Sequence, residues 1–276
     1  MRIDAHQHFW TIARGDYGWL TPDLDPLYRD FGPADLLPIL ARRAIDGSVL
    51  VQAAPSIAET EFLLELARSY DFIKGVVGWV DFESARAPAE IARLAAQPAL
   101  VGLRPMIQDI PDPNWILRPD LSPALGALIA HDLTFDALTL PVHLPNLLPL
   151  LERHPDLRLV IDHGSKPRIR DGHVSAWAAD IARIAEETAA FCKLSGLVTE
   201  AGPEWSVEDL KPYVARLLEA FGPYRLIWGS DWPVCTLAAD YDRWCDATDI
   251  LLADLAPAER AAILGGNASR AYRLRA

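Results

Sequence analysis

Eight short strand-like runs, spaced along 276 residues and separated by longer stretches with helical periodicity, restrict this chain to a small set of folds. The runs cover residues 1–8, 47–53, 72–80, 99–105, 132–138, 157–163, 191–195 and 225–231. Between them, residues 59–70, 88–96, 144–154, 175–188, 207–220 and 257–264 place apolar side chains three or four positions apart, the pattern of helices with one buried face. Strands alternating with helices imply a parallel sheet. Eight such units at this length predict an α/β protein built as a closed (β/α)8 TIM barrel. An open doubly wound sheet is the competing arrangement, but the first βα turn lacks the G-x-G-x-x-G pattern that would favour it.

A hydrophobic content of 51% can fill one large core, and no low-complexity tract or Gly/Ser linker divides the chain, so residues 1–276 are expected to form a single domain. No apolar run is long enough to span a bilayer, and residues 1–8 read as a strand and not as a signal peptide, so the expected location is the cytoplasm. Cys192, Cys235 and Cys245 are odd in number and irregularly spaced, which suits reduced thiols better than a disulfide framework. A formal net charge of −12 opposes association with nucleic acid or anionic lipid. The expected partner is a small molecule, and the expected assembly a monomer or homodimer.

In a barrel of this kind the reactive groups sit at the C-terminal ends of strands. His6 and His8 close the first run, and strand alternation points both imidazoles the same way. Arg104 closes the fourth run, Asp136 lies near the end of the fifth, His163 closes the sixth and Asp231 closes the eighth. Packing alone explains poorly that three of these runs end in His6 and His8, in His163 and in Asp231, each of the last two followed by Gly or Pro within two residues. Asp231 is the candidate general base, with a backbone-bonded structural carboxylate as the competing role. His6, His8 and His163 are candidate catalytic residues, stabilising an oxyanion directly or through a metal. His6, His8, His163 and Asp231 together make a candidate set for one divalent ion, zinc or manganese, or none. Arg104, Asp136 and Lys166 are candidate substrate contacts; an ion pair, an orienting carboxylate and a solvated loop lysine are their bland counterparts. Trp10, Trp79 and Trp232 adjoin strand ends and are candidate pocket walls, although tryptophans there are more often core. Residues 11–33 are too long for an ordinary βα loop and read as a possible cover for the site. Asn267, after two glycines, reads as the N-cap of a last helix.

Residues 3–10 (IDAHQHFW), 101–105 (VGLRP), 162–167 (DHGSKP), 228–233 (WGSDWP) and 266–272 (GNASRAY) together resemble the amidohydrolase superfamily, and within it the lactonase branch. That branch holds sugar-lactone hydrolases of the L-fuconolactonase and L-rhamnonolactonase type and the 2-pyrone-4,6-dicarboxylate lactonase. The resemblance implies water attack on a lactone carbonyl to give the free acid. It also implies a departure from binuclear relatives, which bridge two metals with a mid-barrel lysine or glutamate; here Arg104 ends the fourth run and Asp136 stands where a histidine would be. Three substrate classes follow: neutral aldonolactones, carboxylated lactones of the pyrone dicarboxylate or sulfomuconolactone type, and aromatic acids for a metal-dependent decarboxylase of the same superfamily. A single cation at a strand end favours the neutral sugar lactone.

Overall fold

A computed structural model describes residues 1–275. All eight expected strands form: β1 (Ile3–Gln7), β2 (Gly47–Val51), β3 (Ile73–Gly78), β4 (Leu100–Leu103), β5 (Thr134–Ala137), β6 (Leu159–Ile161), β7 (Phe191–Leu194) and β8 (Leu226–Trp228). They pair in parallel in chain order. The strands are shorter than the apolar runs, chiefly at their C-terminal ends, because the polar end residues leave the sheet to build the mouth.

The ring closes at that rim. Asp231 N–H donates to the His6 carbonyl and His8 N–H to the Trp232 carbonyl, each at 2.7 Å. Behind them the Asp4 carboxylate accepts from Ser230 N–H (2.8 Å), Ser230 Oγ (2.6 Å) and Tyr241 Oη (2.9 Å). Gly229 permits the close approach of β8 to β1, since a Cβ there would lie 2.6 Å from the His6 Cβ. The first and last strands of the sequence are thereby joined, and the residues just past their ends become neighbours.

The helices are α1 (Pro33–Arg42), α2 (Ile57–Ser69), α3 (Ala87–Ala95), α4 (Ser122–Ala130), α5 (Leu147–Arg153), α6 (Ser175–Glu187), α7 (Leu197–Ala201), α8 (Val207–Phe221), α9 (Tyr241–Leu251), α10 (Pro257–Ala261) and α11 (Asn267–Ala271). The larger apolar core lies mostly outside the barrel, where helix faces such as Leu63, Ile91, Leu128, Ile181 and Leu217 pack. A smaller cluster fills the barrel itself with Ile3, Ala5, Val49, Val51, Val77, Val160 and Ile227, floored by Ala268, Ala271 and Tyr272 of the C-terminal segment. Asn267 is structural but not an N-cap: it lies inside helical backbone, and its side chain donates to the Pro223 and Leu226 carbonyls at 2.8 and 2.6 Å. The three cysteines are buried and unpaired. Among the described residues no helix is long and apolar enough to cross a membrane.

Candidate active site

The closure of β8 on β1 sets the centre of the site. The Asp231 Oδ1 atom lies 3.3 Å from His8 Nε2, 3.7 Å from His6 Nε2 and 3.9 Å from His163 Nε2. All four side chains are buried. Burial alone would raise the Asp231 carboxyl, but His163, His8 and His6 around it hold it below the usual carboxylate range, so it is ionised at neutral pH. Burial lowers His163 to about 4. Burial and the adjacent Lys193 ammonium likewise push His6 well below its ordinary value, so both imidazoles are neutral in the same range.

Backbone conformation contributes as much as strand order. After β6 the chain makes a left-handed turn through His163 (φ 53°), Gly164 (57°), Ser165 (62°) and Lys166 (50°), and Asp231 is also left-handed at φ 58°. Such conformations cost about 1–2 kcal/mol for each residue with a Cβ, and strain of this kind persists only where surrounding contacts determine it. Trp177 Nε1 donates to the Gly164 carbonyl at 2.7 Å, Ser165 Oγ meets Thr139 Oγ1 at 2.8 Å, and Lys166 N–H donates to the His163 carbonyl at 2.9 Å. Gly196 gives the His163 ring its space, because a Cβ there would fall 2.6 Å from Nδ1.

Beneath this centre runs a buried charge network that sequence reasoning missed. Lys193 of β7 donates to Asp136 Oδ2 at 2.6 Å and is ion-paired with Asp162, Nζ lying 2.8 Å from Oδ1, and its Nζ lies 3.1 Å from His6 Nδ1. Tyr272 Oη donates to the same Asp136 oxygen at 2.8 Å. Arg104 reaches Asp162 Oδ2 and His6 Nε2, each at 3.3 Å, and donates to the Gln52 carbonyl. Asp136 is therefore fully enclosed under the mouth and held by Lys193 and Tyr272; of its two expected roles this is the placement of an orienting carboxylate and not of a residue lining the cavity. The available signal was a lysine inside the apolar run of β7, where solvent-exposed lysine is unusual.

Above the centre lies a cavity of about 270 Å³, lined by His8, Arg104, His163 and Asp231 below and by Trp19, Leu24, Leu27, Met106, Gln108, Asp109, Leu138, Lys166, Val234 and Leu237 around it. Two larger clefts, of about 550 and 670 Å³, lie elsewhere on the molecule and contain none of these histidines; the chemistry marks the smaller cavity as the site. The three tryptophans expected as walls do not line it. Trp10 and Trp232 are buried against Phe31, and Trp79 is half-buried just past β3, its backbone N–H donating to Thr60 Oγ1. Trp19 takes that place: its indole N–H donates to the Ala53 carbonyl at 2.7 Å and its ring stands edge-on to Trp10. Of the segment 11–33, Trp19, Leu24 and Leu27 line the cavity, and Ser56 Oγ donating to Asp16 at 3.0 Å fastens the segment to the β2–α2 turn.

The donor set fits a divalent ion. His6, His163 and Asp231 each offer a ligand atom within 4.8 Å of the others; His8 is not part of that group, although its Nε2 lies 3.3 Å from Asp231 Oδ1. His8 Nδ1 faces the Val51 carbonyl at 2.8 Å, so it must carry the proton there, and the Nε2 lone pair then meets the Asp231 carboxylate. A cation or a second proton between them resolves that confrontation. His163 Nδ1 pairs with Ser195 Oγ at 2.8 Å, a hydroxyl that can accept or donate, leaving Nε2 free to present a lone pair or an N–H to the cavity.

A parallel eight-stranded barrel carrying histidines and a carboxylate at its strand ends belongs to the class of barrels built for polar hydrolytic chemistry. The model of the family described as Amidohydrolase matches residues 3–274, and the chain belongs to that family. It is 48% identical to an L-fucono-1,5-lactonase of Burkholderia ambifaria over 283 residues, covering 99% of this chain and 96% of the relative. An L-fucono-1,5-lactonase of Burkholderia multivorans is 36% identical over 294 residues, with 99% and 96% covered. A crystal structure of an amidohydrolase from Burkholderia multivorans with bound zinc is 37% identical, covers 100% of both chains and superposes with a TM-score of 0.93.

Proposed function

We propose that this protein hydrolyses a neutral aldonolactone of the L-fuconolactone type to the free sugar acid. The observation that carries the reading is the ionised Asp231 carboxylate surrounded by three imidazoles at the floor of a small cavity, in a chain 48% identical to an L-fucono-1,5-lactonase. Asp231 takes a proton from water as the water oxygen attacks the lactone carbonyl. His163, with Ser195 donating into Nδ1, presents Nε2–H to the developing oxyanion. His8 is oriented by the Val51 carbonyl and His6 by Lys193, so neither ring needs to reorganise during the reaction. Arg104 braces Asp162 and the Gln52 carbonyl, which makes it a support of the mouth more than a grip on substrate. In the alternative in which His6, His8, His163 and Asp231 hold a single divalent ion, zinc or manganese, His163 Nε2 would present its lone pair in place of the N–H, and the ion would supply the positive charge that polarises the carbonyl. The cavity lies just below the roughly 300–1,000 Å³ usual for ligand sites, which suits one sugar ring.

The test is a panel of lactones followed by acid release in ¹⁸O-labelled water, with metal analysis on the same preparation. Aldonolactones should be opened with one solvent oxygen entering the carboxylate, and the protein should carry no more than one ion per chain. Release of carbon dioxide from an aromatic acid, with no aldonolactone opened, would overturn the reading.

A further inference from the structure

Hydrolysis of a lactone has a second half that the floor of the site does not serve. After water adds, the bond from the carbonyl carbon to the ring oxygen breaks, and the ring oxygen leaves with the electron pair as an alkoxide. Asp231, His6, His8 and His163 are grouped within 3.9 Å of one carboxylate oxygen, around the attacking water and the carbonyl. Arg104 is tied to Asp162, His6 and the Gln52 carbonyl. The remaining cavity-lining cation is Lys166, and among the described residues its ammonium makes no ion pair or side-chain hydrogen bond.

Its placement is specified by the fold. Lys166 ends the left-handed turn that begins at His163, three residues earlier, and both side chains line the same cavity. Only one residue of that turn is glycine, so the chain keeps side chains at His163, Ser165 and Lys166 in a conformation that favours their absence. Ser165 is accounted for by Thr139 and His163 by Asp231 and Ser195. Among the described residues Lys166 makes no such direct contact, although its charge counters the burial of the nearby Glu200 carboxyl. Arg168, two residues on, is exposed and paired with Asp171, and serves as the solvated counterpart.

We propose that Lys166 is a catalytic residue that hydrogen-bonds the ring oxygen as it departs; the assignment rests on the lactonase reading above. The ammonium N–H stabilises the leaving electron pair, and Asp231 gives the proton that it took from water to the departed oxygen, so that the alkoxide becomes the alcohol, Asp231 is ionised again, one water is consumed and one hydroxy acid is formed. A flexible four-carbon stem suits the task, because the leaving oxygen moves away with its chain as the ring opens, and a point-charge donor can follow it.

The experiment uses Lys166→Met and Lys166→Arg with L-fuconolactone in ¹⁸O-labelled water, circular dichroism confirming the fold and Lys166→Gln serving as a second neutral variant. With Lys166→Met, kcat should fall about 100-fold, as for loss of one transition-state donor, with KM changed less than about threefold. The tetrahedral adduct should then revert before the ring opens, so recovered lactone carries more carbonyl ¹⁸O than with the wild type. Lys166→Arg should restore at least about a tenth of the lost rate. A kcat within about threefold of wild type, or a lost rate without excess ¹⁸O in recovered lactone, overturns the assignment. A wild-type protein that opens no aldonolactone removes the lactonase reading and this role together; an active wild type with an unimpaired Lys166→Met removes this role alone.

Discussion

Asp231 sits at φ 58°, a conformation that asparagine tolerates nearly as well as aspartate, so Asp231→Asn isolates the charge from the backbone. It should lower kcat by at least about 100-fold, the usual contribution of a positioned general base. Wild-type turnover in folded Asp231→Asn, measured by acid release, would exclude the residue from that role. The residues at the ends of apolar runs were legible because an ionisable group that terminates a buried strand has few structural reasons to be there. The network below them was not: Lys193 and Asp162 acquire meaning only when β6 and β7 lie side by side and place Nζ 2.8 Å from Oδ1. The tryptophans failed for a related reason. Adjacency to a strand end in sequence does not tell a ring that turns into the core, as Trp10 does, from one such as Trp19 that a loop returns to the mouth.

Strands were legible because elements such as β2 (GSVLV), β6 (LVI) and β8 (LIW) are buried along their whole length and read as largely apolar runs. Helices α1, α4 and α9 were not expected. Pro38 interrupts α1, α4 (SPALGALIA) is too uniformly apolar to show a period, and α9 depends on a cap, Asp240 accepting from Arg243 N–H at 2.7 Å. The β2–α2 turn offers a test at this scale. Glu59 of α2 is buried and accepts from Ala54 N–H at 2.7 Å and from Ala53 N–H at 2.9 and 3.1 Å, bracing the turn to which Trp19 and Asp16 attach. Burial raises its carboxyl from 4.5 to about 7, against the opposing backbone hydrogen bonds. Within that window the folded protein keeps a proton that the unfolded chain has released, so stability falls as pH rises, by on the order of 3 kcal/mol across the whole range. Glu59→Gln mimics the protonated form and should remove that component. Urea unfolding at pH 5 and pH 8 should show the wild type losing more stability than the variant, and parallel losses would show that Glu59 does not titrate there.

At the scale of the molecule, the barrel brings together groups more than 200 residues apart, and the charge it places around them argues for the substrate. The net charge of −12 gives no attraction for a dianion, and the cations near the mouth are few. Arg104 is already paired with Asp162, and Arg168 points to solvent beside Asp171. Among the described residues that line the cavity, Lys166 alone remains to meet a ligand charge. A dicarboxylate would bury at least one carboxylate without a partner, which costs several kcal/mol. Leu24, Leu27, Leu138, Val234 and Leu237 in the wall add nothing to offset it. A neutral lactone needs only hydrogen bonds, which His163, Gln108 and Asp109 can exchange with its hydroxyls. L-Fuconolactone or L-rhamnonolactone should therefore exceed 2-pyrone-4,6-dicarboxylate by at least about tenfold in kcat/KM, the quantity that measures discrimination. Competition between the two in one reaction reads that ratio directly, and a dicarboxylate preferred by the same margin would mean that Arg104 leaves Asp162 to bind substrate.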